Sequence, residues 1–281
     1  MKFGLSTGTF YIYPLRTVFR WARQASFDTV ELVVNPEVIA RGGAAVRRVA
    51  EEEGMPIGSV HPTVVRLPGW WERRGGMERT IPLAMETGAG TMVMHTPRSE
   101  SLDAGEGLAF RQLVERWQPR LAASGNGLRL AVENKAVRSA LDRRFALTPV
   151  EQLRAFADRH DLDLVLDTMH AGSAGVDLVY ASKVFAGRLA EVHLSDMGGH
   201  VPLGNWRLAQ DLWSQHRFPG AGKLALEEMV AALAAAGFEG TVVLEINPVA
   251  ARIWWPAAAR RRLDRAMAWL RRAAAGGAGP G

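Results

Sequence analysis

Short apolar and β-branched runs alternate along the chain with longer stretches of helical periodicity. The runs Lys2–Ser6, Thr29–Val34, Pro56–His61, Thr91–His95, Leu128–Glu133, Asp163–Asp167, Glu191–Leu194 and Thr241–Ile246 predict strands. Between them lie helical patterns at Pro14–Ala25, Gly43–Glu53, Met77–Thr87, Gly107–Ala123, Thr148–Arg159, Val176–Ala186, Ala225–Ala236 and Ala257–Ala273. Strand and helix alternate eight times, which predicts parallel βα units closing into a single-domain α/β fold, a (β/α)8 TIM barrel.

Punctuation supports the register. Gly54, Gly88, Gly125 and Gly237 each follow a helical pattern where a C-terminal glycine is needed. Thr148-Pro149-Val150-Glu151 predicts an N-cap threonine with proline at the first helical position. The barrel is expected over residues 1–273, and the Gly/Pro-rich end predicts a flexible tail over 274–281. Two loops, Pro62–Gly76 and Asp196–Gly222, are long for a compact barrel and predict lids or substrate walls.

Composition narrows the chemistry. The 281 residues are 48% hydrophobic and 22% charged, ordinary for a globular protein. No apolar run is long enough to span a membrane and the N-terminus lacks a signal layout, so a cytoplasmic protein is expected. With no cysteine, any metal must be held by imidazole and carboxylate, which suits zinc, manganese, cobalt, nickel or iron. The net charge of +5 comes mainly from arginines scattered along helices, so it permits a phosphate-bearing partner without establishing one.

The carboxyl ends of barrel strands face the active site. Read in order, those ends offer Glu31, His61, His95, Glu133, Asp167 with His170, His193 and Glu245. Desolvating a carboxylate or imidazole costs several kcal/mol unless it is paired. Such groups from seven strands converge on one barrel mouth, and a divalent metal is the simplest common partner. Singly, His61 or His95 reads equally well as a hydrogen-bonded core histidine, and Asp167 as a cap. Glu133, near the middle of the set, is the natural carboxylate to bridge two metals.

The segments VENK at Glu133, LDTMH ending at His170, EVHLSD at His193, HRFPGAG from His216 and VVLE ending at Glu245 resemble the xylose isomerase-like barrel superfamily. That superfamily includes sugar isomerases, epimerases and endonuclease IV, and the resemblance runs from Leu5 to Pro248. It implies that Glu133, Asp167, His193 and Glu245 hold one metal. It also implies that Glu133 and Glu245 act as opposed proton-transfer groups on a sugar or sugar phosphate, with His170 on a substrate hydroxyl. Lys135 could reach the same pocket, although a solvated loop lysine is the plainer reading. Trp70, Trp71, Trp254 and Trp255 could offer an apolar wall to a sugar.

Similarity to endonuclease IV implies a second metal held by His61 and His95, and a third touching His170 and His216. His216 stands four residues before the first glycine of Gly220-Ala221-Gly222; His200 rivals it but lacks the second glycine, where Trp206 stands. The departures weigh against DNA. Ser214 occupies the place of the third-metal aspartate, Val64 that of the DNA-penetrating tyrosine, and Val165 and Met169 those of cysteines. The sequence therefore predicts a metal-dependent isomerase or epimerase of small sugars with one metal site and a second beside it. A multinuclear phosphodiesterase acting on abasic DNA or a small phosphodiester is the alternative, and nucleic acid the less favoured partner. A homo-oligomer is implied by relatives that pair through their helices.

Overall fold

Met92, Met94, Leu130, Val132, Leu164 and Leu166 lie in the main hydrophobic core, whereas Val93, Ala131 and Val165 form a small cluster of their own. These residues alternate along β4 (Thr91–His95), β5 (Arg129–Glu133) and β6 (Asp163–Asp167). Successive strand side chains point to opposite faces, so the first set meets the helices and the second fills the barrel. Two residues further along the inner face stand His95, Glu133 and Asp167.

The computed structural model describes residues 1–65, 67–70, 75–198 and 214–276. The remaining strands are β1 (Lys2–Ser6), β2 (Thr29–Val33), β3 (Ile57–His61), β7 (Leu189–Leu194) and β8 (Thr241–Leu244). All pair in parallel and in order, and β1 closes the barrel on β8 with Leu5 opposite Leu244. Glu245 lies just past β8, its N–H donating to the Leu194 carbonyl at 3.2 Å.

The outer layer is built by α1 (Leu15–Gln24), α2 (Pro36–Arg41), α3 (Gly43–Glu53), α4 (Gly76–Thr87), α5 (Gly105–Ser124) and α6 (Val150–His160). It continues through α7 (Thr168–Ala174), α8 (Leu178–Phe185), α9 (Leu226–Ala235), α10 (Pro248–Ala251) and α11 (Pro256–Ala274). No described helix is long and apolar enough to cross a membrane. Gly54, Gly88 and Gly125 close their helices in the left-handed conformation, as expected.

Two local expectations change. Pro149, not Thr148, is the N-cap of α6, because the Thr148 hydroxyl donates instead to the Asp142 carbonyl at 2.9 Å. The short helices α2, α7 and α10 were not visible as periodicity. Each is started by one polar side chain: Asn35, Asp167 and Asn247 accept from a backbone N–H in the first turn of α2, α7 and α10 respectively.

Candidate metal centre

The barrel brings the strand-end residues together. His61, His95, Glu133 and Asp167 are the last residues of β3 to β6, His193 is the penultimate residue of β7, and Glu245 follows β8. His170 joins them on the first turn of α7, where its N–H donates to the capping Asp167 Oδ1 at 2.6 Å. His216 arrives from the long loop after β7. That loop is pinned by an antiparallel bridge between Asp196 and Arg217 and by the His216 carbonyl, which accepts from Asn247 N–H at 2.7 Å. His216 itself sits at φ 47°, a costly conformation for a residue with a β-carbon, held because both flanks are tied.

Above a further group of Glu31, Glu191 and His193, three groups overlap at the barrel mouth: His61, His95 and Glu133; Glu133, Asp167, His193 and Glu245; and Asp167, His170 and His216. Within each group the donor atoms lie within 4.8 Å of one another. Glu133 belongs to the first two and Asp167 to the last two, so the groups share carboxylates as bridged metal sites do.

The histidines are oriented for this. The His61 Nδ1–H donates to the Pro62 carbonyl at 2.7 Å, leaving Nε2 to face His95 Nε2 at 3.1 Å. The His170 Nδ1–H donates to the Asn134 carbonyl at 2.9 Å. His216 Nδ1 lies 3.1 Å from the Ser195 hydroxyl. His193 turns Nε2 toward Glu191 Oε1 at 2.9 Å and Nδ1 toward Glu133 Oε1 at 3.1 Å and Glu245 Oε2 at 3.3 Å. In His61 and His170 the Nδ1–H is given to a backbone carbonyl, which leaves the Nε2 lone pair for a ligand, the usual arrangement of metal-binding imidazoles.

The electrostatics are those of a crowded anionic site. Burial would raise the Glu133 carboxyl, but His170, His95 and the His193 contact outweigh it and hold it well below the usual range. Asp167 is pushed up to about 7 by burial and by the charges of Glu133 and Glu245, which His216 only partly offsets. Burial would lower His193, yet Glu31, Glu133, Glu191 and Glu245 raise it well above the ordinary imidazole value. Glu245 is lowered, its own burial being outweighed by His216 and His193.

Other anticipated residues fare differently. The Lys135 ammonium donates to the Thr96 and Pro97 carbonyls at 3.1 and 3.4 Å and lies over the Phe145 ring, so it is anchored, not solvated. Trp70 packs against the hydrophobic core. Trp254 and Trp255 are exposed in the loop after β8. Trp71 and His200 lie outside the described residues. Sequence reasoning passed over Asn134, whose amide accepts from the Asp167 N–H at 2.7 Å and donates to the Asp167 carbonyl at 3.1 Å. It also passed over Glu191, although its spacing of two from His193 places both on the inner face of β7.

A cavity of about 700 Å³ opens beside the cluster, lined by His95, Glu133 and His170 and, beyond them, by Lys135, Arg98 and Phe110. That is ample for a small polar ligand.

Fold and site together define a (β/α)8 barrel with nested nitrogen and oxygen donors at the carboxyl ends of its strands. The chain belongs to the xylose isomerase-like TIM barrel family, which it matches over residues 19–273. Members of that family are mostly enzymes and typically bind divalent metals. An uncharacterized protein of Mycobacterium tuberculosis is 30% identical over 277 residues, covering 90% of this chain and 91% of that one. The chain is similar in fold to 3-keto-D-glucoside 4-epimerase from E. coli (20% identity, TM-score 0.65, 96% and 99% coverage). It is also similar to D-psicose 3-epimerase from Clostridium cellulolyticum H10 (14%, 0.68, 96% and 98%). AP endonuclease, family 2 from Brucella melitensis shares the fold as well (18%, 0.63, 88% and 94%).

Proposed function

We propose that this protein is a divalent-metal-dependent isomerase or epimerase of a sugar or sugar phosphate, with Glu133 and Glu245 transferring the proton. The observation that carries the reading is the placement of both carboxylates against His193 Nδ1, at 3.1 and 3.3 Å, inside one four-residue donor group.

The residues fit a cation. Asp167 Oδ2 is buried and receives no hydrogen bond, and buried Glu133 Oε2 has the His95 ring at 2.9 Å, a costly arrangement of carboxylates that a cation would relieve. Glu133, Asp167, His193 and Glu245 would hold it, and all-N/O ligation suits zinc, manganese, cobalt, nickel or iron. When bound, the cation would polarise a substrate carbonyl and its neighbouring hydroxyl.

The protein's own groups then divide the work. The Glu245 side chain is 24% exposed against 1% for Glu133, so Glu245 is the more open to a substrate carbon bearing the labile proton. Glu133, which lines the cavity with His95 and His170, would return a proton to the substrate. His170, with Nδ1 committed to Asn134, offers Nε2 to a substrate hydroxyl. Deuterium exchange tests the reading. Metal-loaded protein in D2O should label the carbon next to the carbonyl of its ketose or ketose phosphate. Absence of label across a panel of both classes overturns it.

A second reading has its own observation. His61 Nε2, His95 Nε2 and Glu133 Oε2 form a compact donor set adjoining the first, with distances of 3.1 and 2.9 Å. A second cation there would favour hydrolysis of a phosphodiester, by supplying Lewis-acid chemistry beside the first. Cleavage of abasic-site DNA or of bis(p-nitrophenyl) phosphate by protein carrying two or more metals would decide for it.

A further inference from the structure

Beneath the donor groups the barrel interior is polar on one side. Glu31 of β2, Ser59 of β3 and Glu191 of β7 are all buried, and each stands two residues before an inner-face residue at the barrel mouth: Val33, His61 and His193. The Ser59 hydroxyl donates to Glu191 Oε1 at 3.0 Å, and the same oxygen lies 2.9 Å from His193 Nε2. Glu31 Oε2 is also 2.9 Å from His193 Nε2, yet neither Glu31 oxygen receives a hydrogen bond. The single Nε2–H therefore points at Glu191, and Glu31 lies off its line.

We propose that Glu191, itself held by Ser59, is the positioning residue for His193: it keeps the proton on Nε2 and the ring turned so that the Nδ1 lone pair faces Glu133, Asp167 and Glu245. This rests on the metal-centre reading of the site. The physical reason is that an imidazole can present only one lone pair, and a buried ring with no acceptor for its N–H is free to rotate or to protonate the wrong nitrogen. Glu31 contributes charge but no orientation. The pair is tucked one layer below the mouth, away from the substrate cavity, so its effect reaches the chemistry only through His193.

The experiment combines cation affinity with a direct view of the ring. Zinc affinity is measured by chelator competition for wild type, Glu191→Leu, Glu191→Gln and Glu31→Gln. The protonated nitrogen of His193 is read from 15N chemical shifts in histidine-labelled, cadmium-loaded protein. Glu191→Leu should lose roughly 10–100-fold in zinc affinity. Glu191→Gln keeps an acceptor oxygen and should restore most of it, and Glu31→Gln should leave the proton on Nε2. Coupling of cadmium to Nε2 in the wild type overturns the proposal even if the leucine variant fails to fold. Undiminished zinc affinity in a folded Glu191→Leu overturns it too, while leaving the metal centre standing. A wild type that takes up no cation overturns both.

Discussion

His61 and His95 turn their Nε2 atoms toward each other across 3.1 Å, while His95 Nε2 also stands 2.9 Å from Glu133 Oε2. His61 has committed its Nδ1–H to the Pro62 carbonyl, so its Nε2 presents a lone pair toward His95. The geometry is that of three donors converging on one point. It makes a second cation beside the four-residue group a concrete expectation.

Replacing His95 with alanine should therefore lower the metal content without emptying the protein. Elemental analysis of wild type and His95→Ala, purified and reconstituted alike, checks this. An unchanged metal-to-chain ratio removes His95 from the donor set.

Glu133→Gln and Glu245→Gln should each reduce turnover by about a hundred- to ten-thousand-fold, the usual scale for loss of a proton-transfer group. Far-ultraviolet circular dichroism should stay unchanged, because neither side chain belongs to the hydrophobic core. Turnover within tenfold of wild type in either variant would sink the paired-glutamate scheme.

Metal uptake should depend on pH with a definite sign. Asp167 titrates at about 7 in the metal-free protein, far above its ordinary 3.8, and His193 is raised as well. Between those values for Asp167 the folded protein holds more protons than the unfolded chain, so this group lowers metal-free stability as pH rises from about 4 to about 7. A cation must displace the same protons. Apparent affinity should thus climb with pH up to about 7, by as much as tenfold per unit from Asp167 alone. Calorimetry in buffers of different ionisation enthalpy should count at least one proton released near pH 6. Zero release there contradicts the assignment.

Gly222→Ala tests the loop that carries His216. A β-carbon on Gly222 would come within 2.3 Å of the Met197 carbonyl and 2.4 Å of Asp196 Oδ1. Asp196 is buried and accepts from the N–H groups of Met197, Gly222 and Leu224, so it cannot easily yield. The variant should lose about 1–3 kcal/mol of stability in chemical denaturation. It should also bind less metal, as His216 is pulled from His170 and Asp167. Wild-type stability would show that the turn relaxes freely.

The strand ends were readable in sequence because barrel geometry is periodic. An inner-face residue recurs every second position, and a histidine or carboxylate ending an apolar run is out of place unless it has work to do. That logic reached His61, His95, Glu133, Asp167, His193 and Glu245, and spacing to the paired glycines singled out His216; it also took Glu31 for a mouth residue, although Glu31 stands two positions before the end of β2. The same alternation, followed one step further back, would have exposed Glu191 and Ser59. A polar residue inside a strand reads as solvent-facing until the barrel closes over it. Asn134 was hidden for a different reason: its amide grips the backbone of Asp167, and backbone partners leave no sequence pattern.

The eight βα units, the helix ends at Gly54, Gly88 and Gly125, and the stock of nitrogen and oxygen donors are legible in the chain alone, since they follow from local periodicity, backbone stereochemistry and residue chemistry. Which donors share a centre, how the histidine rings are turned, and the membership of Glu133 and Asp167 in two mouth groups each emerge on folding. Those depend on strand register and ring orientation, fixed by contacts between residues as far apart as Glu133 and His193, and no local pattern in the chain encodes them.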